Sequence, residues 1–141
     1  MLCLVAMIMC VSNSSYAQKV KKSDLKVNYV LHNIGVKRDV QAKLKPILEA
    51  YLADKKAANK EYDDAKTKLK NSIKTGTLTE KQAQALLNMK WQADEKELAV
   101  KRQYETKFKT VLPVKKVYLC FSLLNDSKSK MLGEPKDDSE E

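Results

Sequence analysis

Histidine is all but missing from this 141-residue chain: His32 is the only one, and Cys120 lies far from it. The other two cysteines, Cys3 and Cys10, stand near the start. No C-x-x-C or H-x-x-H spacing occurs and no ligand types cluster, so a zinc site of the usual kind has nothing to build it. No metal and no cofactor are expected, and His32 reads as an ordinary helix-face residue. No nucleophile stands at a useful spacing from a base, and there is no Gly-rich phosphate loop. No catalytic residue is therefore assigned and no enzyme is expected; Asp63 and Asp64, or Asp94, Glu95 and Glu97, are the carboxylates of an exposed helix. Aromatics are scarce too, with one Trp and two Phe, and they do not interleave with the basic runs. That argues against nucleic acid as a partner. With only three Gly and three Pro among abundant Ala, Lys, Leu, Glu and Gln, the composition is that of an all-α protein.

No apolar run is long enough for a comfortable bilayer span. Residues 2–11 are apolar but number only ten, against the roughly 20 that a spanning helix needs. Ser15-x-Ala17 follows and fits the small-x-small rule for signal-peptide cleavage before Gln18. Residues 1–17 are thus expected to be a cleavable signal peptide, although no Lys or Arg precedes the apolar run. A lipoprotein anchored at Cys10 is the weaker alternative, because bulky Met9 precedes it. Cleavage would leave Cys120 as the only thiol, which cannot make an internal disulfide. It is then a buried thiol, as its apolar surroundings suggest, or a bridge between two chains.

What the chain has in excess is positive charge, with 27 Lys and Arg against 18 Asp and Glu and a net +9. Residues 134–141 carry five acids against one lysine, so the body is more basic than the whole. In an exported protein such a balance suits acidic envelope proteins, an anionic membrane surface, or plain solubility.

Hydrophobic spacing predicts four helical segments. Val27, Val30, Leu31 and Ile34 recur at i, i+3, i+4 and i+7 over residues 24–34, with Gly35 as the stop. A strand over residues 26–31 is the alternative, since Val27, Tyr29 and Val30 favour one. A long helix follows over residues 37–74. Its stripe runs Val36, Val40, Leu44, Ile47, Tyr51, then Ala58, Tyr62, Ala65, Leu69 and Ile73, one step per 3.7 residues. That exceeds the heptad value of 3.5, so no long left-handed coiled coil is indicated. Pro46 is expected to kink this rod, and the stripe thins to alanine over residues 54–61. The third helix covers residues 80–110 on Leu86, Met89, Ala93, Val100, Tyr104 and Phe108, interrupted by Glu97 and widened by Leu87, Trp91 and Leu98. Pro113 opens a fourth segment, apolar nearly all round through residue 124. From residue 125 onward a polar, disordered tail is expected.

Between the long helices lies Lys74-Thr75-Gly76-Thr77-Leu78-Thr79-Glu80-Lys81-Gln82. Gly76 suits a left-handed helix stop. Thr79 and Gln82 have the spacing of a capping box, Leu78 stands at the staple position, and Glu80 complements the helix dipole. The prediction is a long antiparallel helical hairpin with shorter flanking helices.

Leu78-Thr79-Glu80-Lys81-Gln82 matches the LTxxQ motif of the Spy/CpxP family of periplasmic stress proteins, and the order of helices over residues 24–124 resembles that family. Where the family carries a second motif copy, this chain reads Gly35-Val36-Lys37-Arg38-Asp39-Val40-Gln41. The resemblance implies a periplasmic, ATP-independent chaperone or stress adaptor that binds unfolded proteins, shaped as a cradle-like antiparallel homodimer. Leu87, Trp91, Leu98, Tyr118 and Phe121 are the expected client or dimer contacts. Two readings from other directions stay open: a helical adaptor for one defined envelope partner, and a basic, long-armed trimer similar to Skp.

Overall fold

A computed structural model describes residues 21–131, with side chains for residues 21–127. The expected signal peptide and residues 132–141 lie outside the described residues. Five helices follow in order: α1 Lys22–Asn33, α2 Arg38–Lys68, α3 Lys70–Thr75, α4 Glu80–Lys109 and α5 Val114–Met131. No strand occurs among the described residues, so the strand alternative over residues 26–31 is overruled. Once Val27, Val30 and Ile34 face a common core, a helix buries all three where a strand would split them.

α2 and α4 lie side by side as the two limbs of the hairpin. At one end α1 and α5 pack on them and close a four-helix head. Its buried side chains are Val27, Val30 and Ile34 of α1 and the adjoining turn; Leu44, Leu48 and Tyr51 of α2; Tyr104 and Phe108 of α4; and Val117, Cys120, Leu123 and Leu124 of α5. At its centre four aromatic rings meet edge to face. Tyr51 lies 5.5 Å from Tyr104, 6.0 Å from Phe108 and 5.8 Å from Phe121, and Phe108 lies 5.4 Å from Phe121. Such T-shaped pairs add to the area they bury because positive ring edges meet negative ring faces. One face of α5, with Val117, Cys120, Leu123 and Leu124, is thus buried within one chain, while Val114 and Tyr118 stay exposed on its other side.

The turn between α1 and α2 is held from α5. Lys116 Nζ donates to the carbonyl of Ile34 at 2.7 Å, and Gly35 has φ +65°. A side chain there would be strained in that conformation and would press on the Lys116 ammonium, 3.3 Å from the Cβ position.

Two boundaries differ from expectation. α2 runs unbroken through Pro46 and ends at Lys68, where Leu69 leaves helical geometry at φ −95°, ψ 9°. The Thr67 hydroxyl donates back to the Asp63 carbonyl at 2.7 Å, a side-chain bond that loosens a helix. The Leu69 N–H still reaches Ala65 O and the Ile73 N–H reaches Leu69 O, so α3 continues the rod. At the other end, α5 continues past residue 125 to Met131. Leu123, Leu124 and Ser127 keep the helical spacing of Val117 and Cys120, and Ser127 is fully buried with its hydroxyl on Leu124 O. The tail expected from residue 125 thus begins inside a helix, because this apolar register outlasts the change in composition.

Candidate functional site

Beyond the head the hairpin becomes a thin arm. Among residues 52–103 only Ala93 is buried. The arm leaves the head at a polar bridge. Glu97 of α4, 17 % exposed, accepts from Lys55 of α2 at 2.9 Å and from Lys101 at 2.9 Å. Asn59 Nδ2 donates to it at 2.9 Å. Burial pushes the Glu97 carboxyl up, but hydrogen bonds from Lys101, Lys55 and Asn59, with the Lys55 charge, outweigh it and hold it at about 2. Two turns along α4 toward the head, the Tyr104 hydroxyl donates to Asp54 at 2.6 Å. Burial, then the bond to Asp54 and its charge, push Tyr104 up to about 12. Farther out, Lys90 of α4 lies 5.7 Å from the Tyr62 ring of α2, an interhelix cation–π contact.

The tip is closed by the motif residues. Gly76 has φ +66°, the Thr77 N–H reaches Ser72 O at 2.9 Å and the Gly76 N–H reaches Ile73 O at 3.4 Å. This is a Schellman stop. The Gln82 N–H donates to Thr79 Oγ1 at 3.1 Å, and the Thr79 N–H donates to Gln82 Oε1 at 3.1 Å. Both bonds of the capping box are present. Leu78 and Ala83 are both half-buried beside it. Thr79 and Gln82 thus shape the hairpin end, and neither presents a reactive group.

The expected contact residues divide three ways. Leu87, Trp91 and Leu98 are 48 %, 59 % and 49 % exposed. At 3.6 residues per turn they fall within about 40° of one another, one stripe along the flank of α4. Tyr118 is exposed on α5, on the head, where Val114 one turn earlier is exposed too. Phe121 is half-buried at the aromatic cluster of the head, where it packs on Tyr51 and Phe108. The apolar run around it gave no sign of which positions the head would claim.

Sequence reasoning missed the Glu97 bridge, reading Glu97 only as a gap in a stripe. The signal was available: Lys55 and Asn59 fall where the α2 stripe thins, opposite that gap. It also missed a cleft of about 580 Å³ at the root of the arm, bordered by lysines of α1 and α2. Among the described residues no cluster of His, Cys, Asp and Glu could hold a metal ion, and no helix is long and apolar enough to cross a membrane.

No protein-family model matches the chain, and no curated protein and no solved structure matches it. The likeness to Spy/CpxP proteins rests on residues 78–82 and the helix order alone.

Proposed function

We propose that this protein is an exported, ATP-independent holdase-like chaperone or envelope-stress adaptor of the Spy/CpxP kind. The observation that carries the reading is the exposed stripe Leu87, Trp91 and Leu98 on a thin, basic arm anchored by a well-packed head. Large apolar side chains aligned on one flank are the usual mark of a surface that meets another chain. An unfolded polypeptide exposes apolar side chains of its own, and the stripe offers them area without demanding a fixed geometry. The excess of lysine around it draws acidic chains by long-range attraction. The same flank is the place where a second copy would sit in a homodimer, since the head core is already complete within one chain.

The test is suppression of aggregation for several unrelated unfolding proteins without ATP. Broad suppression by the full chain, lost in Trp91→Ala/Leu98→Ala while the melting curve is kept, is the expected result. Exposed side chains of this kind change stability by only about 0.5 kcal/mol, so the loss would report binding. Suppression of none of the test proteins would sink the chaperone reading in favour of an adaptor for one partner. Melts and sedimentation across a wide concentration range, under reducing conditions, test the dimer; a concentration-independent monomer would refute it.

A further inference from the structure

We infer that the cleft where the start of α1 meets the root of the arm binds acidic polypeptide segments. This names the class of chain held, and it rests on the reading that the protein binds polypeptides. The cleft, about 580 Å³, is lined by Lys21, Lys22 and Lys26 at the start of α1, by Lys55 and Lys56 of α2, and by half-buried Leu52. Two carboxylates, Asp63 and Glu97, share the lining. Glu97 is already held by Lys55, Lys101 and Asn59, so it does little to neutralise the other lysines. Lys21, Lys22 and Lys56 are exposed and form no ion pair among the described residues. α1 begins without a side-chain cap, with Asp24 as the one acid in its first turn.

The arrangement favours a chain over a compact phosphate. Lysine is a flexible, hydrated point charge, whereas bidentate phosphate recognition selects the arginine fork, and no arginine lines the cleft. The lysines are spread over two helices around an open space, which matches several carboxylates strung along a backbone. Leu52 supplies apolar contact for the side chains between them.

The experiment is fluorescence anisotropy of a labelled, short Asp/Glu-rich peptide with the full chain at low salt, beside its Asn/Gln counterpart. The acidic peptide is expected to bind, the neutral one not, and added salt to release it. Lys22→Glu/Lys56→Glu should weaken binding roughly tenfold or more, since like charges now meet across the cleft. Lys74→Glu/Lys81→Glu at the arm tip should leave it nearly unchanged. Circular dichroism checks the fold of each variant, and Lys22→Gln/Lys56→Gln is the milder form should charge reversal unsettle α1. Equal weakening by the tip and cleft variants would overturn the inference in favour of net charge. Absence of binding, or displacement by equimolar inorganic phosphate, would overturn it as well. Peptide binding without aggregation suppression would sink the chaperone reading alone; suppression with no peptide bound would sink this inference alone.

Discussion

Replacing Glu97 by Gln removes one charge from the bridge that joins the two limbs of the arm, and its effect can be worked out from the structure. The carboxyl is lowered from 4.5 to about 2 by hydrogen bonds that outweigh its burial. At 1.36 kcal/mol per pH unit that drop corresponds to roughly 3 kcal/mol. Solvent still reaches the side chain and screens its partners, so about 1–2 kcal/mol is the expected loss in Glu97→Gln near neutral pH. The sign follows from linkage. A group whose folded-state pKa is depressed stabilises fully above its unfolded pKa, near 4.5, and that contribution vanishes as pH falls toward 2. Urea titrations of the wild type and Glu97→Gln should therefore differ at neutral pH, draw together below about pH 4.5, and coincide near pH 2. Other carboxylates titrate in both proteins and cancel in the difference. A gap of constant size across this range would show that the loss comes from packing and not from the charge. No gap at neutral pH would show that the bridge adds nothing to stability.

Three further outcomes are expected. Thr79→Ala removes one bond of the capping box at the arm tip and should lower stability by about 1 kcal/mol in a thermal melt followed by circular dichroism; an unchanged melt would contradict the cap. Phe108→Ala empties the centre of the aromatic cluster, where the ring is fully buried, and should lose about 3–5 kcal/mol in a urea titration. Cys120 is fully buried, and burial pushes its thiol up to about 12. It should resist a thiol reagent in the native state and react at the rate of unfolding; prompt modification would mean that the head opens there.

The hairpin was legible because its signals are local. Gly76, Thr79 and Gln82 act within a few residues of one another, and the stripe of α2 needs only helical periodicity. The packing of α1 and α5 was not legible, because it joins residues such as Ile34 and Lys116 that are far apart in sequence. The same distance hid the place of Phe121: an apolar run shows that a segment is buried but not which of its faces meets the core. Pro46 and Leu69 differ in a way that composition does not reveal. Pro46 is carried inside α2 without ending it, while the interruption at Leu69 falls where a threonine hydroxyl competes for a carbonyl. Three of the expected surface contacts lie together because α4 is continuous over residues 87–98 and its period puts them on one flank.

The uneven distribution of buried side chains sets where this molecule can open without coming apart. Residues 52–103 bury only Ala93, while the head holds the aromatic cluster and the rest of the core. Amide protons of the head should exchange only through global opening, and those of the arm through local openings that grow more frequent toward Gly76. Melting the outer turns sacrifices little buried area, so the arm can open there while the head stays closed. The head is then the fixed end from which the outer turns of the arm fray and re-form.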